Sequence, residues 1–392
     1  MRPHMSSEHG LHRDEAPPRA PWVVAVVVTY NRKAMLLECL EALARQTHPL
    51  GEVVVVDNAS TDGTEELLED SGIGARLPVL YLRLTRNGGG AEGFHYGIRT
   101  ALEQGRADWV WLMDDDCEPE PPALAQLLAS APASKPDCAV LAPKVLSADR
   151  ELLPLNCGSL RSSWFLAPFV ALAPERYEED AVEIEFCSFV GPLVRARAAR
   201  AAGLPLRQAF IRLEDIEYML RMRGRQRQWT VPGSVVLHKD PRPITSARSL
   251  ARWRDYVRRT PFTAEWKHLF GVRNTIFLGR RHGLMTASQA LAYAFAQTVR
   301  VLAFGERRLR QFHVACVYAY DGWRGVFRNV PPEAWPGLAE ARDPLRYISE
   351  HALRYDVDVA GAVRRLRSAA DPPHGGDRHA VVELEERADA PG

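Results

Sequence analysis

Residues 109–116 read Trp-Val-Trp-Leu-Met-Asp-Asp-Asp, an apolar run that ends in three consecutive carboxylates. The run predicts a strand over 108–113 that is buried on both faces, as in a parallel sheet. Carboxylates beside such a strand are costly to bury unless a cation neutralises them. Because residues i and i+2 of an extended chain point to one side, we expect Asp114 and Asp116 to face one divalent ion and Asp115 to face away. Oxygen ligands favour Mg²⁺ or Mn²⁺, which would bridge a nucleotide diphosphate; a solvated acidic loop is the alternative.

Three further strands, each followed by a helix, precede this run. The apolar patterns predict strands over 22–30, 52–57 and 79–84 and helices over 32–46, 61–70 and 93–104. We expect Asp62 to cap the second of these helices. Alternation of this kind predicts an α/β fold with a mainly parallel sheet flanked by helices. Ligands of such sheets bind outside the carboxyl ends of the strands, where the unusual residues of this chain are clustered.

The second half of the chain has a mixed pattern. We predict strands over 139–145, 184–194 and 229–237 and helices over 213–223, 265–282 and 287–304. The predicted organisation is a disordered tail over 1–21, an α/β domain over 22–240, an Arg- and aromatic-rich region with C-terminal helices over 241–366, and a disordered tail over 367–392. The basic stretch 242–259 is interpreted either as a lid over a bound diphosphate or as a solvated loop.

Composition sets broad limits on the class of protein. The 392 residues are 46% hydrophobic and 25% charged, which is ordinary for a globular enzyme, and the net charge of +1 gives no reason to expect a nucleic-acid partner. The six cysteines form no CxxC pair, which favours a reduced, cytosolic setting. We find no signal peptide and no membrane span in the sequence. Basic clusters at the ends of the last two predicted helices are compatible with the inner face of a cell membrane or with packing on the α/β domain.

Two other strand ends carry candidate ligand-binding residues. Asp57, at the end of the second strand, can accept hydrogen bonds from a base or ribose, or can belong to a helix-capping turn. The turn over 86–94 contains Gly88, Gly89 and Gly90 before a helix, which suits an anion but also suits a simple tight turn. Its spacing and place after the third strand differ from the dinucleotide-binding fingerprint.

A second acidic pair and a histidine lie farther along the chain. Glu214 and Asp215 open the helix 213–223, where the helix dipole stabilises carboxylates. Near a metal-bound diphosphate, one of the two would suit a general base for an acceptor hydroxyl. His238 ends an apolar strand and can supply an imidazole ligand to the same ion, although a lone histidine is usually structural.

Together these segments resemble family 2 glycosyltransferases of the GT-A fold, in particular the galactofuranosyltransferase- and rhamnosyltransferase-like branch. The resemblance runs from Val24 to about Asp240 and continues weakly over 266–283. Its motifs are 28–32, 56–64, 87–94, 109–119, 213–218 and 238–240. Each motif is modest alone, but together in this order they are specific.

The resemblance implies transfer of a sugar from a nucleotide diphosphate to a hydroxyl, with inversion. Asp114 and Asp116 would be metal ligands of the family's DXD motif, His238 the third ligand, and Asp215 the catalytic base. The resemblance also implies that Thr29 and Asp57 hold the pyrimidine and ribose of the donor. The full set of donor contacts that it implies is Thr29, Tyr30, Asn31, Asp57, Asn58, Arg86, Asn87, Gly89, Gly90 and Asp115.

Donor and acceptor stay open at this level. Glu92 replaces a glycine of the family's Gly-Gly-Ala-Gly-Gly-Phe turn, and UDP-galactofuranose and dTDP-rhamnose both fit a pyrimidine pocket. We expect a cell-envelope or lipid-linked glycan as acceptor, with a soluble small molecule as the alternative. A non-catalytic nucleotide-sugar-binding protein is a further alternative. A nucleotidyltransferase is disfavoured because the loop 29–33 after the first strand contains no glycine.

Overall fold

The computed structural model describes residues 19–161, 169–223, 226–239 and 261–366. The proposed lid over 242–259, Asp240, most of the N-terminal tail and the C-terminal tail lie outside these ranges. The strands are β1 Val23–Thr29, β2 Glu52–Asp57, β3 Val79–Leu84, β4 Trp109–Asp114, β5 Cys117–Pro119, β6 Cys138–Ser147, β7 Cys157–Leu160, β8 Phe169–Ala171, β9 Val182–Ile184, β10 Phe186–Cys187, β11 Leu193–Arg195, β12 Arg227–His238 and β13 Ala360–Arg365. The helices are α1 Lys33–Ala44, α2 Thr64–Asp70, α3 Gly89–Glu103, α4 Ala123–Ala129, α5 Ala196–Ala202, α6 Glu214–Met222, α7 Trp266–Arg281, α8 Ala287–Phe304, α9 Arg308–Arg324, α10 Trp335–Glu340 and α11 Pro344–His351.

A mixed sheet forms the centre of the molecule. Its strand order is β13-β3-β2-β1-β4-β11-β6-β12-β5, and β9 pairs with β12. Strands β3, β2, β1 and β4 are mutually parallel, so their carboxyl ends meet at one edge. Strands β11, β5, β9 and β13 add antiparallel pairs. The predicted α/β fold with flanking helices and a helical C-terminal region is confirmed.

Close packing on both faces of β1 places the site at this edge. Val26 and Val28 face α3, whereas Val27 faces the core that contains Leu36 and Leu40 of α1. A Cβ added at Gly97 of α3 would lie 2.3 Å from a methyl carbon of Val26. A glycine is therefore required where α3 crosses the sheet, and this close contact fixes the position of the helix that follows the glycine turn.

The C-terminal region is built onto the α/β domain. Strand β13 pairs antiparallel with β3 at the edge of the sheet, a strand that the sequence pattern did not predict. Phe210 belongs to the core of the C-terminal helices, and its ring centroid lies 5.4 Å from that of Phe270 in α7. None of the helices in the described ranges is long and apolar enough to cross a bilayer.

Three local predictions differ from the structure. The predicted strand 184–194 is split into β9, β10 and β11, which pair with β12, β7 and β4 respectively, and Gly191 (φ +78°) turns the chain before β11. Helix α3 begins at Gly89, inside the turn where we expected a loop. Asp62 does not cap α2, whose N-cap is the left-handed Gly63; its carboxylate instead accepts from the backbone N–H of Lys33, at the start of α1 (3.0 Å).

Candidate active site

Asp115 and Asp116, the last two of the three aspartates at the end of β4, have different hydrogen-bond partners. Asp115 accepts a hydrogen bond from the hydroxyl of Thr29 (2.7 Å), so these two predicted donor contacts are bound to each other. Asp116 accepts from the guanidinium of Arg32 (2.8 Å), and Nε2 of His238 lies 3.2 Å from its other oxygen. The antiparallel pairing of β12 with β5 produces this approach, because it sets His238 opposite Cys117. The structure thus brings together Asp116 and His238, which are 122 positions apart in the sequence.

Burial and like charges shape the acidity of this cluster. Burial raises the pKa of Asp114 well above its usual range, and the neighbouring charges of Asp116, Asp115 and Glu214 raise it further. Burial raises the pKa of Asp115 to about 6, although the hydrogen bond from Thr29 acts to lower this pKa. For Asp116, burial raises the pKa, but the neighbouring His238 ring and the hydrogen-bonded guanidinium of Arg32 outweigh it, so the pKa is lowered. The cluster therefore contains more carboxyl groups than Arg32 can neutralise when all are ionised, and without a cation the raised pKa values of Asp114 and Asp115 favour their protonated forms.

The donor set suits a divalent cation, but the predicted metal triad is assembled only in part. Oδ1 of Asp116 is buried and meets no hydrogen-bond geometry within the described residues, and the His238 ring lies beside it. Carboxylate oxygens with one imidazole are ligands that Mn²⁺ accepts. In the described ranges no three His, Cys, Asp or Glu side chains already surround one point. The role of Asp114 as a ligand remains a prediction.

Asp57 is completely buried, with a hydrogen bond to each carboxylate oxygen. One oxygen accepts from the hydroxyl of Tyr81 (2.5 Å) and the other from the backbone N–H of Ser60 (2.8 Å). Burial, and then the hydrogen bond to Asp57, raise the pKa of Tyr81. The sequence analysis did not identify Tyr81. The feature that could have indicated it is a side-chain hydroxyl on β3, the strand beside β2. Nucleotide binding by Asp57 would use the lone pairs that these two contacts leave.

The loops after β1 and β2 are tied together at the same edge. Asn31, in a left-handed conformation (φ +52°), donates its backbone N–H to Ser60 (2.8 Å) and accepts from the N–H of Thr61 (2.7 Å). Asn58 is buried beside them, and its Oδ1 has no hydrogen-bond partner among the described residues.

The hydroxyl of Tyr30 donates to Glu333 (2.7 Å), a residue of the C-terminal region. Glu333 was not predicted to lie at the site, and nothing in its local sequence indicates it. This contact connects the C-terminal region to the loop after β1.

The glycine turn is shaped by contacts within the protein. Gly89 has φ +78°, and a Cβ added there would lie 2.1 Å from the carbonyl oxygen of Phe210. We predicted that the missing side chain of Gly89 leaves room for a ligand to approach the backbone. In the structure, the backbone of Phe210 occupies this room. Asn87 accepts from the N–H of Gly89 (2.9 Å), which closes the turn. Gly90 faces Glu214, whose Oε1 would lie 3.4 Å from an added Cβ.

Glu92 is the charged partner of Arg86, the arginine of this turn. Its fully buried carboxylate pairs with Arg86 (3.1 Å), and Arg207 lies 3.9 Å away. Arg86, a predicted donor contact, is paired with this buried acid six positions farther along the chain. The change from the family's glycine therefore adds a charge that is neutralised inside the protein.

Glu214 and Asp215 occupy the first turn of α6 and differ in surroundings. Burial, and then the charge of Asp215, raise the pKa of Glu214 to about 8, and its Oε2 has no hydrogen-bond partner within the described residues. Burial raises the pKa of Asp215 to about 6, while its Oδ1 accepts from the N–H of Ile216 (2.7 Å). Glu214 is the member of the pair whose charge acts on Asp114.

Comparisons with known proteins concern the α/β domain. The profile described as glycosyl transferase family 2 matches residues 24–189, a range from β1 to β10 that contains the three aspartates at the end of β4. These residues form a glycosyl transferase family 2 domain.

Named relatives within family 2 include galactofuranosyltransferases. The chain is 32% identical over 216 residues to galactofuranosyltransferase GlfT1 of Mycolicibacterium smegmatis, covering 51% of this chain and 65% of that protein. It is 36% identical over 208 residues to the protein of the same name from Mycobacterium tuberculosis, covering 51% of this chain and 64% of that one. The chain thus matches slightly less than two thirds of the length of these relatives. A structure of GalNAc-T7 with UDP, GalNAc and Mn²⁺ superposes with a TM-score of 0.48 at 18% identity, covering 71% of this chain and 57% of that one.

The raised pKa of Glu214 predicts how stability depends on pH. Its pKa in the folded protein is about 8 against an ordinary 4.5, so the folded state binds more protons than the unfolded state between these values. Stability without metal should therefore fall as pH rises from about 4.5 to about 8, since buried Glu214 must then ionise. Thermal unfolding in chelator should show Glu214→Gln more stable than wild type at pH 8, with a smaller difference at pH 5.

The exposed Glu178 offers a matched control. Glu178→Gln should change the melting temperature little at either pH. A wild-type protein whose stability rises steadily over this pH range, with Glu214→Gln no more stable at pH 8, would contradict the assignment of a buried neutral carboxyl to Glu214.

Proposed function

We propose that this protein is a metal-dependent, inverting glycosyltransferase that moves a sugar from a pyrimidine nucleotide diphosphate to an acceptor hydroxyl. The observation that carries the proposal is the buried carboxylate cluster of Asp114, Asp115, Asp116 and Glu214 at the carboxyl edge of the parallel strands. Ligands of α/β sheets bind at this edge, and a cluster with this excess of negative charge suits a cation with a bound diphosphate.

Asp114, Asp116 and His238 would hold the metal ion. The ion, Mg²⁺ or Mn²⁺, supplies positive charge against the diphosphate leaving group. The chain's own part is to keep these donors in place: Arg32 binds one oxygen of Asp116 and lies 3.4 Å from one oxygen of Asp115, and Thr29 binds the other oxygen of Asp115. Thr29, Asp57 and the loops around them would receive the nucleoside.

We expect Asp114→Ala and Asp116→Ala to abolish transfer, since each removes a proposed metal ligand. Release of nucleoside diphosphate from UDP-galactofuranose and dTDP-rhamnose, with and without excess EDTA, measures activity. Calorimetry with Mn²⁺ measures metal binding by the same variants, and NMR of the product tests inversion at the anomeric carbon.

Asp149→Ala is the matched control, because Asp149 is an exposed aspartate outside the site. It should keep both metal binding and transfer. Full wild-type activity in excess EDTA would end the metal proposal, whereas unchanged Mn²⁺ affinity of Asp114→Ala would remove only that residue from the ligand set.

A carboxylate at the start of α6 would take the proton of the acceptor hydroxyl. The family resemblance favours Asp215, and a pKa of about 6 suits a base near neutral pH. Glu214 lies in the same turn, acts on Asp114 and has a free buried oxygen among the described residues. The chemistry allows either carboxylate, and the two positions can be separated by isosteric amides.

Asp215→Asn should fold and bind the donor nucleotide but lose about 10²–10⁴-fold in kcat, the usual contribution of a general base. Glu214→Gln, measured beside it, should keep more activity. A loss below about tenfold for Asp215→Asn, with a larger loss for Glu214→Gln, would move the base to Glu214.

Galactofuranose is the first donor sugar to test, because the named relatives are galactofuranosyltransferases. Rhamnose from dTDP-rhamnose is the second. The proposed acceptor is a cell-envelope or lipid-linked glycan, and a soluble acceptor is the alternative. A lipid-linked acceptor would require the protein to work at a membrane surface.

One face of α8 supports membrane contact. Leu291, Phe295, Val299 and Leu302 recur at helical spacing and are exposed, with Phe295 70% accessible. Arg300, the single charged residue of α8, is buried and paired with Glu265 (3.1 Å). An apolar face of this size on a helix with no exposed charge suits the boundary of a lipid bilayer.

Basic residues follow directly after this face. Arg307 and Arg308 are exposed, and the adjacent Leu309 is 79% accessible. Arginines beside an apolar face add attraction to anionic lipids, which salt weakens.

Sedimentation with anionic vesicles tests the membrane contact. We expect the wild type to sediment at low salt and less so as salt rises, and Phe295→Ser to sediment less. Leu345→Ser, at an exposed leucine of α11, is the control and should sediment like wild type. Protein that stays in the supernatant with anionic vesicles at low salt would show that α8 does not bind membranes.

A further inference from the structure

The segment before Glu214 has an unusual backbone. Phe210, Arg212 and Leu213 all have positive φ (+66°, +70° and +69°), although none is glycine. Residues with a Cβ rarely adopt this region, and they persist there only when the surroundings impose it. Three such residues within four positions, directly before the proposed base, indicate that contacts elsewhere hold this segment.

This segment determines two parts of the site. The carbonyl of Phe210 lies against Gly89 and accepts from the N–H of Ala91 (3.1 Å), which positions the start of α3. Leu213 is the N-cap of α6, so its left-handed backbone sets the direction in which Glu214 and Asp215 leave the segment. A change in the segment would therefore move the glycine turn and the proposed base together.

Asn274 of α7 holds the segment by its carbonyl groups. The side-chain nitrogen of Asn274 lies 3.0 Å from the carbonyl oxygen of Ala209, 3.1 Å from that of Ile211 and 2.8 Å from that of Arg212. Three backbone acceptors thus share the two amide hydrogens of one side chain. The Nε of Arg273 donates to Oδ1 of Asn274 (3.0 Å), which fixes the orientation of the amide.

Arg273 is fully buried and also binds this segment. Its guanidinium donates to the carbonyl of Ala209 (3.0 Å) and to Oδ1 of Asn329 (2.5 Å), and lies 4.9 Å and 4.8 Å from the ring centroids of Phe270 and Phe327. Asn329 in turn donates to the carbonyl of Gln208 (2.8 Å).

The burial of this arginine is not explained by charge pairing. Within the described residues its guanidinium makes no ion pair with a carboxylate, and its hydrogen bonds go to neutral oxygens. Burial of a cation without a counter-ion is costly, and a neutral core residue would fill the same space.

We infer that Arg273, Asn274 and Asn329, here called the clamp, are positioning residues for the transfer reaction. The clamp holds the segment 208–213, in which Phe210, Arg212 and Leu213 have positive φ, and thereby aims the first turn of α6 at the aspartates at the end of β4. The inference rests on the proposed function, since it assigns the clamp a role in that same site. It also gives the C-terminal helices a part in catalysis, although none of the three residues touches substrate.

The decisive variant is Asn274→Asp. It keeps the side-chain volume and the oxygen that accepts from Arg273, and it places a negative charge beside the buried guanidinium, so the fold should be retained. It removes both hydrogens that bind the backbone carbonyls. We expect an unchanged affinity for UDP with Mn²⁺, faster hydrogen–deuterium exchange in peptides covering 208–216, and a fall in kcat of about 10²-fold, the size of loss expected from misplacing a catalytic group by about 1 Å.

Asn156→Asp is the matched control, because the Asn156 amide also donates to a backbone carbonyl, that of Leu153 (3.1 Å), outside the site. It should leave kcat and exchange over 208–216 unchanged. If Asn274→Asp does not fold, Asn329→Asp serves in its place, since it keeps an oxygen for Arg273 and loses the hydrogen bond to Gln208.

The remaining outcomes overturn one proposal or the other. Unchanged exchange over 208–216, or faster exchange with a wild-type kcat, shows that the clamp does not position the site. A loss that appears only in donor affinity has the same meaning. A wild type that transfers no sugar from any donor tested refutes the proposed function instead, and the exchange measurement still reports whether the clamp holds the segment.

Discussion

The excess of carboxyl groups at the end of β4 is the constraint on which the rest of the site depends. Asp115, Asp116 and Glu214 are buried there and Asp114 is half-buried, and burial raises the pKa of Asp114, Asp115 and Glu214. Neighbouring side chains bind two of these carboxyl groups. Arg32 binds Asp116, Thr29 binds Asp115, and no comparable partner of Asp114 is found in the described ranges, which leaves a place for a divalent cation.

The C-terminal region completes a site that the α/β domain begins. It supplies β13 at the sheet edge, Glu333 against Tyr30, and Arg273 and Asn274 against the segment before α6. The contacts of Arg273 and Asn274 are polar and buried, so they specify one arrangement more strongly than apolar packing alone would. A division of the chain at residue 240 therefore separates sequence patterns, while the contacts that shape the site cross that boundary.

Several site residues show why a motif does not determine the role of each member. Gly89 and Arg86 lie in a turn that we interpreted as donor-binding, yet Gly89 makes room for the Phe210 carbonyl and Arg86 pairs with Glu92. Both interpretations followed from residue type, and both partners come from the protein itself. Glu92 lies six positions from Arg86, so the pair could have been considered from the sequence. Phe210 lies more than 100 positions from Gly89, and no sequence pattern indicates this contact.

The sequence by itself determined the four parallel strands β1 to β4, the helices that follow the first three of them, and the edge of the sheet where chemistry is expected. Continuous apolar runs require burial on both faces, and polar residues that end such runs must gather where parallel strands end. Only the tertiary structure decided which of these polar groups meet: His238 with Asp116, Tyr81 with Asp57, Glu214 with Asp114, and Asn274 with the strained backbone before α6. The physical reason is that local periodicity follows from neighbouring residues, whereas a hydrogen bond or charge contact between distant segments depends on packing of the whole chain.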